Sequence, residues 1–161
     1  MSETFGLHDE LELGDDENQF LTFVLNGEEY GLRILKVQEI KGFTGVTPIP
    51  GTPAYIKGVM NLRGTVVPVV DLRAKFGMPA AEYDKFTVIV VVDVGPRIVG
   101  LIVDAVSDVL NFADGDVAPP PMLGTDIDTS FLTGMAKAGE KLVLLLDIDA
   151  VIGAEVAAIA A

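Results

Sequence analysis

The sequence predicts an all-β protein, built as two small barrels packed together. Three observations carry that reading: many short apolar runs of strand length, Gly and Pro punctuation between them, and a weak internal repeat. Displaced by 69 residues, Gly31-Leu32-Arg33-Ile34-Leu35-Lys36-Val37-Gln38-Glu39-Ile40 falls on Gly100-Leu101-Ile102-Val103-Asp104-Ala105-Val106-Ser107-Asp108-Val109. Displaced by 76, Val66-Val67-Pro68-Val69-Val70-Asp71-Leu72 falls on Leu142-Val143-Leu144-Leu145-Leu146-Asp147-Ile148, with Gly58 on Gly134 and Gly77 on Gly153. Two close offsets mean two copies of one unit of about five strands, the second carrying a short insertion. Closing each barrel removes sheet edges that would otherwise aggregate. The seam between copies is a natural place for a partner.

Residues 1–18 hold seven carboxylates and no Lys or Arg, and read as a solvated, disordered tail. Phe20 to Leu25 is a strand, and Asn26-Gly27 is a strong hairpin signal before Tyr30 to Ile34 returns. Leu35 to Ile40 either extends that strand or makes one helical turn. Pro48, Pro50 and Pro53 mark a long loop. Val59 to Gly64 leads into a strand, Thr65 to Val70, whose Pro68 points to an edge or a bulge. Asp71 caps a short helix, Leu72 to Phe76, that Gly77 ends.

The second copy follows the same grammar. Phe86 to Val92 is so uniformly β-branched that it belongs in the middle of a sheet, buried on both faces. Gly95-Pro96 turns the chain, Ile98 to Val103 returns, and Pro119-Pro120-Pro121 forms a loop. Leu142 to Leu146 is the late strand, and Asp147 to Ile152 the second short helix before Gly153. The stretch 154–161 is a C-terminal tail, so residues 19–153 form one domain of two barrels.

Bulk properties narrow the function. A net charge of −13 disfavours nucleic acid and anionic lipid as partners. With no cysteine, disulfides and thiolate metal sites are excluded. The start lacks the basic and apolar regions of a signal peptide. The longest apolar runs, Val88 to Val92 and Leu142 to Leu146, fall far short of a membrane span of about 20 residues. The expectation is a soluble, cytoplasmic protein that does not insert into membranes.

The sequence offers no catalytic constellation. The single histidine, His8, lies in the acidic tail, so no imidazole in the folded region can activate Ser107 or Ser130. No phosphate-cradling glycine motif is present. The carboxylate pairs Asp114/Asp116, Asp126/Asp128 and Asp147/Asp149 lack the fuller oxygen-rich loop of a calcium site. Asp71 and Asp147, equivalent in the repeat, are helix caps. No cofactor or metal is expected, and the chain is not expected to be an enzyme. The alternative is a small-ligand-binding β-barrel or enzyme, which would need a polar cluster inside a pocket.

Three segments exceed what core packing requires. In Val37-Gln38-Glu39-Ile40, an extended backbone puts Val37 and Glu39 on one face and Gln38 and Ile40 on the other, so neither face is cleanly apolar. Gly58 and Gly64 bracket Val59-Met60-Asn61-Leu62-Arg63, whose Arg63 is placed to pair with Glu39, as a planar guanidinium suits a partly buried pair. Gly100 to Val109 repeats the first segment, so Val37 and Val106 occupy corresponding places. If the barrels face each other, these valines flank a groove suited to an amphipathic helix.

At these residues the chain resembles the CheW-like coupling proteins of bacterial chemotaxis, from about Gln19 to Gly153. The resemblance rests on Glu-Tyr-Gly-Leu (29–32), Val-Gln-Glu-Ile (37–40), Ile-Lys-Gly-Val-Met-Asn-Leu-Arg-Gly (56–64), Val-Pro-Val-Val-Asp-Leu-Arg (67–73) and Val-Gly-Leu-Ile-Val-Asp-Ala-Val-Ser-Asp-Val-Leu (99–110). It implies two SH3-like five-stranded barrels around a shared core. It also implies an adaptor joining chemoreceptor cytoplasmic tips to the regulatory domain of the histidine kinase CheA, monomeric alone and recruited to receptor arrays. Carried onto this sequence, the receptor contact falls on Ile34, Val37, Glu39, Ile40, Arg63 and Val106, with Gly58 needed for shape. The kinase contact falls on Val46 and Thr47. The acidic start and the three-proline run have no counterpart in the family's motifs.

Overall fold

The computed structural model describes residues 18–119 and 131–152. The expected acidic tail (all but Asn18), the tail 154–161 and the proline loop from Pro120 onward lie outside them. Eleven strands are described: β1 (Gln19–Leu25), β2 (Glu28–Arg33), β3 (Val37–Gly42), β4 (Ile56–Leu62), β5 (Thr65–Asp71), β6 (Val88–Val94), β7 (Arg97–Val103), β8 (Ala105–Asn111), β9 (Val117–Ala118), β10 (Leu132–Ala138) and β11 (Lys141–Leu146). They form a five-stranded sheet, β3-β6-β7-β5-β4, and a six-stranded sheet, β8-β1-β2-β11-β10-β9.

Two barrels are therefore present, but the barrel and the sequence repeat do not coincide. The hairpin β1–β2 of the first repeat sits between β8 and β11 of the second, while the hairpin β6–β7 sits between β3 and β5 of the first. The exchange is made by two parallel pairings, β2 with β11 and β5 with β7. A 3-10 turn, Ile34–Lys36, carries the chain from the six-stranded sheet to the other, and Asp104 carries it back. The segment 35–40 is thus both of its predicted alternatives in succession, one turn and then a strand.

Each barrel closes in the same way. Beyond β3 the chain bends over, and Thr47 exchanges two backbone hydrogen bonds of 2.9 Å with Val59 on the far edge strand β4. Beyond β8, β9 pairs with the far edge strand β10. Gly58 and Gly134, matched in the repeat, lie directly beneath these closing segments. A Cβ on Gly58 would collide with the Thr47 carbonyl and come 2.9 Å from Pro48 Cα. On Gly134 it would approach Val117 Cγ1 to 2.6 Å and Ala118 O to 2.7 Å. Both glycines are needed because closure brings one backbone across another.

Alternation divides the strands between three cores. Ile89 and Val91 of β6 fill the first barrel with Met60, Leu62, Val67, Val69 and Ile102. Val90 and Val92 point the other way, into a larger core between the sheets that also holds Leu21, Phe23, Tyr30, Leu32, Leu101, Leu144 and Leu146. Phe20, Phe112, Ala136, Val143 and Leu145 fill the second barrel. β6 is accordingly interior and buried on both faces over 89–92, as its composition predicts. It starts two residues later than expected, because Asp84 accepts from the Phe86 amide in a turn that leaves Phe86 exposed.

Local chemistry matches the expected punctuation. Asn26 and Gly27 adopt φ of 53° and 81°, the two positive values of a tight hairpin turn. Asp71 caps α1 (Leu72–Lys75) by accepting from the Arg73 amide at 2.9 Å, and Gly77 leaves it with φ 74°. Asp147 accepts from the Ala150 amide at the start of α2 (148–152). Pro68 sits where β5 has a neighbour on one side only, since pairing with β7 begins at Val69.

Candidate functional site

The segment Val37–Ile40 is shaped by a bulge. Val37 pairs with Val92 and Glu39 with Val91, leaving Gln38 unpaired in the ladder. The extra residue shifts the alternation, so Val37 and Ile40 both turn toward the core between the sheets. This corrects the strictly extended reading, in which they occupy opposite faces. The same device recurs in β8, where Val106 pairs with Phe23 and Asp108 with Thr22, leaving Ser107 out. Both bulged side chains find partners: Gln38 donates to Asp93 at 2.7 Å and Ser107 to Glu29 at 3.1 Å.

Glu39 faces the mouth of the first barrel, and there Arg63 meets it. Nη1 donates to Oε1 at 3.1 Å and Oε2 at 3.2 Å, so the expected pair is present. Arg63 occupies the two-residue turn between β4 and β5 with φ 51°, followed by Gly64 at 89°, while Asn61 Oδ1 accepts from the Gly64 amide. The Arg63 side chain is 68% exposed and that of Glu39 19%.

The other expected receptor residues divide by depth. Ile34 and Val37 are only 1% and 2% exposed and belong to the core itself. Ile40 and Val106 are half-buried and pack against that core from the two different sheets. Gly58 lies beneath the closing strand. Among the expected kinase residues, Thr47 makes the closing bridge and is exposed, while half-buried Val46 packs against the first barrel's core. Leu35, half exposed next to Ile34, adds an apolar side chain that the motif reading passed over.

Sequence reasoning also missed the strongest polar cluster. Arg73 forks onto Asp104, with Nε at 2.9 Å and Nη2 at 2.7 Å from its carboxylate, and Asp104 accepts from the Asn26 amide at 2.9 Å. Burial pushes the Asp104 carboxyl up, but the Arg73 and Asn26 bonds outweigh it and hold the group below the usual carboxylate range. Tyr83 donates to Asp71 at 2.7 Å, and burial together with that carboxylate raises its phenol above the usual tyrosine range. A cavity of about 100 Å³ lies among these groups. The Asp-Leu-Arg triplet at 71–73 signals the cluster only when read beside its partner 31 residues on.

Among the described residues, no helix is long and apolar enough to cross a membrane. The CheW-like domain family model matches residues 19–156. The chain is 47% identical over 137 residues to the chemotaxis protein CheW of Klebsiella aerogenes, covering 85% of this chain and 82% of that one. It is 42% identical over 137 residues to the chemotaxis protein CheW of Rhizobium meliloti, covering 85% and 88%. The crystal structure of the scaffolding protein TtCheW from Thermoanaerobacter tengcongensis superposes with a TM-score of 0.80 at 34% identity, covering 89% of this chain and 92% of that one. With a family match across nearly the whole described fold and a solved scaffold protein sharing it, the chain belongs to the CheW-like family.

Proposed function

We propose that this chain is a non-enzymatic adaptor that couples the cytoplasmic signalling tips of chemoreceptors to the histidine kinase CheA. The observation that carries the receptor side is Arg63. A non-glycine residue held at positive φ costs about 1–2 kcal/mol. An exposed ion pair returns no more than about 1 kcal/mol. The turn is therefore poorly explained as a stabilising device and well explained as a presented side chain, fixed in place by Glu39. Half-exposed Leu35 and half-buried Ile40 flank Glu39 in sequence, apolar surface of the kind an amphipathic helix covers.

Receptor contact is assigned to Glu39, Ile40, Arg63 and Val106 at the surface, with Ile34, Val37 and Gly58 supporting them from below. Val46 and Thr47, on the segment that closes the first barrel, are assigned to the kinase regulatory domain. Binding both partners at once raises their effective concentration without any chemistry on the adaptor. The protein then acts in the cytoplasm as a monomer that joins receptor arrays.

Co-sedimentation with a receptor signalling fragment, with and without kinase, tests the reading. Glu39→Lys and Arg63→Ala are expected to lower receptor capture at least about tenfold, as loss of a central Arg contact does at protein interfaces. Circular dichroism and capture of the kinase regulatory domain should stay unchanged. Undiminished receptor capture by both variants overturns the assignment.

A further inference from the structure

The chain passes between its two sheets twice, once through Ile34–Lys36 and once through Asp104, and the two crossovers are equivalent in the repeat. Each sinks one apolar residue into the core between the sheets: Ile34 is 1% exposed and its counterpart Val103 is 0%. Three residues on, Val37 is buried while its counterpart Val106 is half-buried, so apolar anchoring does not favour the second crossover. Polar anchoring does.

At the second crossover the Asp104 amide donates to Val24 O at 3.0 Å, and its carboxylate receives the Arg73 fork and the Asn26 amide. Arg73 is itself steadied by donating to Pro79 O at 2.7 Å. Four elements meet there: α1, the β1–β2 turn, the crossover and the segment after α1. At the first crossover the Val37 amide donates to Ile34 O within the turn, Leu35 stands at the position matching Asp104, and the next residue, Lys36, pairs with Asp149 on α2, the repeat mate of Arg73 on α1. The polarity is reversed and the bond is a single contact of 3.3 Å between side chains 36% and 57% exposed. A forked, largely buried guanidinium pair restrains geometry, whereas a lysine on a flexible stem in water contributes little.

We infer that the Ile34–Lys36 crossover is the compliant joint between the barrels and the Asp104 crossover the fixed one. Any change in how the barrels are set is then taken up beside Val37–Ile40, where a bound helix would sense it or impose it. That consequence rests on the proposed receptor contact; the inequality of the joints does not.

Amide hydrogen exchange on the full chain, read by mass spectrometry, tests both parts. Amides of 35–37 should exchange at least about tenfold faster than those of 104–106, because exchange reports the local opening free energy. Asp104→Asn should abolish the difference by mobilising 104–106, and Arg73→Lys, which keeps the charge but loses the fork, should do so in part. Lys36→Ala should leave both segments within about twofold of wild type. Equal or slower exchange at 35–37 in the wild-type chain overturns the inference, as does a tenfold effect of Lys36→Ala. Adding receptor fragment should protect 35–37; failure of that arm alone overturns the receptor contact and leaves the joint standing.

Discussion

Gly58→Ala isolates what barrel closure is worth. Gly58 has φ 145°, a region that side-chain-bearing residues avoid, and its missing Cβ is what admits Thr47 across β4. The substitution forces the closing segment away and breaks the two Thr47–Val59 hydrogen bonds, each worth about 1 kcal/mol net. Backbone strain adds about 1–3 kcal/mol. The reduced freedom of the unfolded chain returns about 0.4–1 kcal/mol. The net loss is about 2–4 kcal/mol, and at roughly 3–5 °C per kcal/mol for a domain of this size the melting temperature falls by about 10 °C. Thermal unfolding followed by circular dichroism reads it directly. Gly45→Ala is the control: no atom lies within 4 Å of its added Cβ, and its φ is not positive. A Gly58→Ala protein melting within about 2 °C of wild type would refute the closure argument, since that margin corresponds to well under 1 kcal/mol.

Gly134→Ala should cost less than Gly58→Ala in the same melt, because its clash falls partly on a movable Val117 methyl and no positive φ is involved. Asp104 is held below its unfolded value of about 4, so the unfolded chain takes up the proton first as pH falls. Its contribution is intact above about pH 4 and lost as pH drops through the lowered native value; in urea unfolding, the gap between wild type and Asp104→Asn should therefore narrow below that pH. Tyr83 moves the opposite way: its raised phenol contributes fully below the unfolded value of about 10 and loses that contribution as pH climbs toward the native value. Tyr83→Phe should cost about 1 kcal/mol at neutral pH for the lost Asp71 bond, and its alkaline stability loss should be shallower than that of wild type.

What the sequence revealed and what it concealed separate by range. The Asn26-Gly27 turn, the Asp71 and Asp147 caps and the doubly buried β6 are written in a few adjacent residues, and all are present. The repeat was legible because both copies obey the same closure, which demands glycine at 58 and 134. The hairpin exchange was not legible, since nothing in β2 or β5 states that its parallel partner lies in the other half. The bulges at Gln38 and Ser107 were hidden because one extra residue reverses every later inward or outward assignment. Within the site, the Arg63–Glu39 pair was found as two lone charges in apolar stretches. The burial of Ile34 and Val37 emerges only once both sheets are stacked. Arg73–Asp104 joins ordinary-looking residues from different halves, which no local pattern announces.

The traded hairpins carry a consequence for how such a molecule is divided and how it arose. Severed within 79–86, neither fragment contains a whole barrel, so each should be unstable alone and recover its shape only on meeting the other. The connectivity is that of two identical short chains interlocked as a pair and later fused end to end. Such a fusion frees the sister lobes from having to be alike, and the opposite charges of Arg73 and Asp149 at matched positions show that they have drifted apart.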